Sequence, residues 1–307
     1  MNATTEDPRE SGAACPATVP VPAALRAIDV TRLQRHDDGT VHAQPGTQVL
    51  ASEVPIALVF NGISHAVMMG TPANIEDFAL GFALTEGIVD SRADCYGIEA
   101  RPVAAEAAGL PAGVDAIEVR LEVASRCFAR LKDRRRSMSG RTGCGVCGVD
   151  SFAALDLSLP ALPAHGWISR VDAGAVCAAI SALAPLQQLN AQAGAVHAAG
   201  WARLDGQLTD VLEDVGRHNA LDKLVGRMAR TGRLGEPGFA VLSSRGSHEL
   251  VRKCARVGIA ALATISAPTA MGVQMAELTG LRLWGLCRPP RAVLYAPCPQ
   301  AMPERGT

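Results

Sequence analysis

The spacing of apolar and polar positions divides the chain into a series of elements. In "VPIALVFNGISHAVMM", which begins at Val54, apolar residues run up to Asn61-Gly62 and resume beyond it. An Asn-Gly pair suits a tight turn with positive φ, so this stretch predicts a β-hairpin. "TPANIEDFALGFALTEGIV" follows, with Pro72 and Asn74 as helix-start residues, Glu76 and Asp77 in the first turn, and Gly87 as a stop. "DAIEVRLEV" alternates Ile117, Val119, Leu121 and Val123 with Glu118, Arg120 and Glu122, the pattern of a half-exposed strand. Together these elements predict a small α+β N-terminal domain over residues 27–125.

"RLKDRRRSMSGRTGCGVCGVD" comes next, basic and then glycine-rich, and its composition predicts a surface linker spanning residues 126–164. From residue 165 the pattern changes again. "VDAGAVCAAISALAPL" reads as a helix, and "GWARLDGQLTDVLEDV" as two strands around Asp205-Gly206. "GRHNALDKLVGRMAR" is a helix, "GFAVLSS" a short buried strand, "SHELVRKCARVG" a helix, and "AALATIS" a strand. "APTAMGVQMAELTG" is a further helix, and "LRLWGL" a last buried strand. The expected fold class is α/β, with strands and helices alternating over residues 165–307. Such a sheet is covered on both faces and places ligand sites at the strand ends.

Composition narrows the functions this frame can carry. The 307 residues are 48% hydrophobic and 19% charged, with a formal net charge of −1. No global field draws the chain to nucleic acid or to an anionic membrane, and aromatics at 4% are too few for a base-stacking surface. Residues 1–26, rich in Ala, Pro and Thr and lacking a basic start, read as a disordered tail rather than a signal peptide. No window reaches the ~18 uninterrupted apolar residues of a membrane helix, so a soluble cytoplasmic protein is expected.

The nine cysteines include one closely spaced pair, Cys144 and Cys147 in "SGRTGCGVCGVD". A structural zinc site needs a second such pair, and the chain has none. A thioredoxin-like dithiol belongs at a helix start after a strand, whereas this pair lies among Gly140, Gly143, Gly145 and Gly148. Arg134, Arg135, Arg136 and Arg141 precede it, and cations favour thiolate over thiol. A pliable, cationic, thiolate-bearing loop suits a sulfur carrier; the alternative is two incidental loop cysteines.

Three polar turns offer a second kind of chemistry. "EDVGRHNALDK" puts Glu213 and Asp214 at a strand end and Arg217, His218 and Asn219 at a helix start, where anions are favoured. "LSSRGSHELVRK" places Ser243, Ser244, Arg245, Gly246 and Ser247 between a strand and a helix, and "ISAPTAMGVQMAE" offers Ser266 and Thr269. One nucleotide-sized site at a single sheet edge would unite them; taken singly, each is also an ordinary capped turn. His197 in "AVHAAG" is either a pocket wall or a satisfied core residue. Zinc nucleoside deaminases place a glutamate two residues after such a histidine to shuttle protons, and Ala199 stands there instead.

In this order, "GRTGCGVCG", "EDVGRHNALDK", "SSRGSHELVRKCARVGI" and "SAPTAMGVQMAE" resemble the FdhD family of formate dehydrogenase accessory sulfurtransferases. The resemblance runs from about residue 45 to 297. It implies a deaminase-like C-terminal domain, without deaminase chemistry, in a typically homodimeric protein with no resident metal. It further implies that a cysteine desulfurase passes a persulfide to Cys144, with Cys147 as its partner. The sulfur would then go to the molybdenum or tungsten of a bis-molybdopterin guanine dinucleotide cofactor before that cofactor enters formate dehydrogenase. The family's cofactor-binding stretch falls on Leu286, Cys287, Arg288, Pro289, Pro290 and Arg291, with Arg217, His218, Ser244, Arg245, Ser266 and His197 as further contacts. Leu286 and Pro290 depart from the family pattern, which tends to carry an aromatic and a glycine there. A cofactor chaperone that moves no sulfur is the alternative from another class.

Overall fold

The computed structural model describes residues 20–136 and 159–297. The chain opens with an antiparallel ribbon of β1 (Leu25–Arg35) and β2 (Val41–Ala51), in register from Leu25↔Ala51 to Arg35↔Val41. Most of its residues are exposed on both faces. The predicted hairpin is β3 (Val54–Phe60) and β4 (Ile63–Gly70), turning at Asn61-Gly62 with positive φ at both residues. β5 (Cys95–Val103) and β6 (Ala116–Val123) complete a four-stranded sheet of order β4-β3-β6-β5. α1 (Ile75–Thr85) is buried along nearly its whole length.

The stretch read as a linker begins as a helix instead, α2 (Ser125–Arg136). Arginine, lysine and leucine are strong helix formers, and burial of Cys127 and Leu131 anchors the turn that composition alone assigns to a loop. The Cys-x-x-Cys motif itself lies outside the described residues, as does the greater part of the N-terminal tail.

The C-terminal half contains α3 (Ala173–Leu186), α4 (Gln188–Ala193), β7 (His197–Ala202), β8 (Leu208–Asp214) and α5 (Arg217–Arg230). β9 (Phe239–Leu242), α6 (His248–Arg256), β10 (Ala261–Thr264), α7 (Ala270–Thr279) and β11 (Arg282–Arg288) follow. "LRLWGL" is not the last strand: β12 (Arg291–Ala296) pairs antiparallel with β11 across a Pro289-Pro290 tip. The six strands run in the order β12-β11-β10-β9-β7-β8. Only β9, β10 and β11 are mutually parallel, so the sheet is mixed.

Two helices lock the halves together. α1 crosses α5 at Gly81 and Gly226, where a Cβ would stand 1.7 Å from the Asp222 carbonyl and 1.8 Å from that of Asp77, respectively. Only glycine permits backbones that close. One continuous hydrophobic cluster accordingly runs from Ile56, Phe78 and Leu121 through Leu221 and Leu224 to Leu262 and Leu283. A second cluster, around Val176, Leu183, Phe239 and Val241, covers the opposite face of the larger sheet beneath α3.

Charged groups are buried in this contact, and each has partners. Asp77 receives Arg227 at 2.7 Å and Arg230 at 2.8 Å. Lys253 lies 2.9 Å from Asp222 and 2.8 Å from Glu86, and Arg252 lies 2.9 Å from Glu86. Burial works against ionising Glu86, but Lys253 and Arg252 outweigh it and hold its carboxyl far below the usual range. Such pairs are costly to break, because the surviving charge stays out of water.

Candidate functional site

Sheet topology gathers the sequence-predicted residues at one edge. His197 opens β7 opposite Asp214, which closes β8, and β9 and β10 deliver the loops 243–247 and 265–269 to the same side. β11 ends there too, followed by the Pro289-Pro290 tip. Main-chain bonds tie neighbouring loops together: Thr269 N donates to the Gly246 carbonyl at 3.0 Å, and Leu286 N donates to that of Ser266 at 3.2 Å. Gly272 is needed where these loops close up, because a Cβ would stand 2.5 Å from the Gly246 carbonyl.

The motif "EDVGRHNALDK" divides between two duties. Glu213 turns inward and accepts from the backbone N–H groups of Leu189 (2.8 Å) and Asn190 (2.9 Å), at the start of α4. Asp214, fully buried, pairs with Lys223 Nζ at 2.6 Å and accepts from Thr71 N, Gly216 N and Asn219 Nδ2. Asn219, expected at the anion edge, instead donates to Asp214 and to the Met69 carbonyl at 2.8 Å. Its place on α5 points it toward β4, so it braces the two sheets. Burial pushes the Lys223 ammonium down from its ordinary pKa, opposed by Asp214.

Arg217 and His218 are the members of that motif left for the edge. The Arg217 Nε and the Ser247 Oγ are buried and complete no hydrogen bond of normal geometry. α5 starts at Gly216 and α6 at Ser247, and neither start is capped by a side chain. α7, by contrast, is capped by Thr269, which accepts from Gly272 N at 3.1 Å. Two helix starts without a side-chain cap, together with a buried Arg217 Nε that completes no hydrogen bond, form a donor set suited to an anion.

Histidines and one carboxylate complete the edge. His197 is half-buried, with Nδ1 at 3.5 Å from Ser243 Oγ. Burial, then the nearby Arg217 and His218, lower its pKa, against a smaller opposing pull from Asp214. Glu249 Oε2 lies 3.6 Å from His218 Nε2 and 3.8 Å from His248 Nδ1. The imidazole of His218, against the cost of burial, holds the Glu249 carboxyl down at about 2. Glu249 and His248 are absent from the sequence-derived site. Their only signal is a serine followed two residues later by an acid, which marks any helix start.

The remaining predicted residues occupy the rim. Arg245, Leu286, Arg288, Pro289, Pro290 and Arg291 are exposed, and Leu286 has a positive φ of 48° at an irregularity in the β11–β12 pairing. Ser244 is buried, its hydroxyl donating to the Arg245 carbonyl at 3.2 Å, and Ser266 is half-buried. Cys287 is fully buried, and burial pushes its thiol up to about 11, so it packs rather than reacts. Among the described residues, Asp90, Asp94 and Cys127 are close enough together to share a metal ion. Their carboxylates are already taken by Arg130, at 2.9 Å from Asp90, and by Arg126, which pairs with Asp94. No helix among the described residues is long and apolar enough to cross a membrane.

Fold and edge together define a mixed α/β protein whose strand-end loops bring Arg217, Arg245, Arg288 and Arg291 to one edge of the larger sheet. Comparison with known proteins identifies its kin. Residues 51–302 match the FdhD/NarQ family. The chain is 49% identical over 254 residues to the sulfur carrier protein FdhD of Chromobacterium violaceum, covering 83% of this chain and 90% of that one. It is 48% identical over 247 residues to the FdhD of Burkholderia mallei, with 80% and 88% covered. For the Bordetella petrii protein of the same name, identity is 44% over 277 residues, with 90% and 95% covered. A crystal structure from Desulfotalea psychrophila, described as a formate dehydrogenase accessory protein, has a similar fold. Its TM-score is 0.61 at 21% identity, over 90% of this chain and 99% of that one. The chain belongs to the FdhD/NarQ family.

Proposed function

We propose that this protein is a sulfur carrier in formate dehydrogenase maturation, taking persulfide sulfur from a cysteine desulfurase onto Cys144. The Cys144 thiolate attacks the outer sulfur of the desulfurase persulfide; that S–S bond breaks, the desulfurase cysteine leaves as thiolate, and a persulfide remains on Cys144. Attack of Cys147 on the Cys144 sulfur then releases hydrosulfide for the metal and leaves a Cys144–Cys147 disulfide, which a cellular thiol reduces. The receiving group is the molybdenum or tungsten of a bis-molybdopterin guanine dinucleotide, bound at the loop-built sheet edge. The protein acts in the cytoplasm as a homodimer, and its larger sheet has the deaminase-like arrangement without the proton-shuttling glutamate, since Ala199 holds that position.

The observation that supports the cofactor part of this reading is the donor set of Arg217 and two helix starts without a side-chain cap. A guanine dinucleotide is a polyanion, and these groups are suited to its phosphates. Arg245, Arg288 and Arg291 on the rim add cations to an otherwise neutral protein.

The test is substitution of Cys144. Cys144→Ala is expected to keep its affinity for the cofactor and to abolish restored formate dehydrogenase activity. After incubation of the wild type with desulfurase and cysteine, intact-mass analysis should show a reductant-labile gain of one sulfur (~32 Da), the mark of a persulfide. Full activity of Cys144→Ala would leave a cofactor chaperone that moves no sulfur.

A further inference from the structure

We infer that the β1–β2 ribbon is a dimerisation arm, one face of its outer half packing on the same face of a second copy of this chain across a two-fold axis. This rests on the homodimer reading given above and assigns that dimer a surface. Neither strand alone marks a side, but their register does. Paired residues point the same way, and successive pairs point to opposite sides. The pairs Asp29↔Thr47, Thr31↔Pro45, Leu33↔Ala43 and Arg35↔Val41 therefore share one face. The other face of the same half carries Arg32, Gln34, His42 and Gln44. Every residue of the first face is exposed, Leu33 at 69% and Val41 at 58%. An apolar centre of Leu33, Val41, Ala43 and Pro45 thus lies bare on a ribbon that no third strand joins among the described residues. A two-stranded ribbon is at best marginally stable by itself, and cover from outside would supply the missing burial.

The charges identify what the cover is. Asp29 and Arg35 are the charged residues of this face in the outer half. Six positions apart on one strand, they stand about 20 Å from each other, too far to meet. Among the described residues neither has an ion-pair partner, whereas Arg26 on the opposite face pairs with Asp115 at 2.5 Å. An acid and a base equally distant from a midpoint are self-complementary under a two-fold rotation. A second copy laid face-on, turned about an axis crossing the ribbon at Arg32, sets each Asp29 against the other copy's Arg35. The Thr31↔Pro45 pair then lies on the Leu33↔Ala43 pair, and the apolar centre is closed between two ion pairs. That is the apolar core and polar rim of a specific interface. A different partner would have to match this spacing of charges; a second copy matches it by symmetry.

The experiment is sedimentation velocity of the full chain over a concentration series, with circular dichroism to check the fold. The wild type should sediment as a dimer. Asp29→Arg sets like charges against each other at both ends of the interface, as does Arg35→Asp, and each should raise the dissociation constant about 100-fold or more. In an equal mixture the two variants should dimerise again, because Arg then meets Asp at both ends. Leu33→Glu, which places an acid in the apolar centre, should weaken the dimer with no rescue by either charge variant. Wild-type dimerisation by both charge variants, or a mixture that stays monomeric, would overturn the inference while leaving a homodimer built on another surface. A wild type that is monomeric at every concentration would bring down the homodimer and the inference together.

Discussion

The contact between α1 and α5 and the loop edge of the larger sheet are built from the same residue types, with opposite results. In the contact, Asp77, Glu86, Asp214, Asp222, Lys223 and Lys253 are buried or nearly so, and each meets an opposite charge. At the edge, the Arg217 Nε is as well shielded but completes no hydrogen bond. A closed set of charges holds a fold in one arrangement, while an open set is a request for a ligand. "EDVGRHNALDK" supplies both regions, because one turn of α5 separates Arg217 and His218 from Asp222 and Lys223.

Breaking the closed region should have the largest effect. Lys223→Met leaves Asp214 ionised and out of water, which costs about 3–5 kcal/mol, read as a lower urea midpoint. Acid should loosen both regions more gradually. Glu86 and Glu249 have pKa values depressed in the folded state, Glu249 to about 2 from an ordinary 4.5. Between those values the unfolded chain binds more protons than the folded one, so stability is full above about pH 4.5 and falls as pH drops toward 2. Glu86→Gln should be less stable at neutral pH and show a shallower acid decline in melting temperature. The smallest effect on stability belongs to the open region. Arg217→Ala should change unfolding free energy by no more than about 0.5 kcal/mol while weakening GDP binding about tenfold or more. If Arg217→Ala destabilised the fold as Lys223→Met does, the two regions would not differ in the way described.

Much of the frame was legible from periodicity. The β3–β4 hairpin and β6 have one buried face, and burial writes a period into sequence, while α1, β9 and β10, buried all round, read as apolar runs between turn signals. The β1–β2 ribbon has little buried on either face, so Arg, Thr and Gln alternate with nothing to mark a side. β5 carries Gly97 and Pro102, and β12 follows two prolines, each a feature that argues against a strand. The convergence of polar turns at one edge was also readable, since strand-end loops collect there in any such sheet. The division of labour within them was not. Whether Asn219 faces a ligand or the Met69 carbonyl depends on where β4 packs, and Glu249 acquires its meaning only from His218 across a helix gap.

The glycine crossing of α1 and α5 has a consequence for dividing the chain. A break within residues 137–158 would give an N-terminal fragment holding Asp77, Thr85 and Glu86 and a C-terminal one holding Lys223, Arg227 and Lys253. Each piece alone would expose charges shaped for the other, beside a groove only a bare backbone can enter. The two fragments are therefore halves of one folded unit, each baring its share of the shared hydrophobic cluster until the other covers it at Gly81 and Gly226.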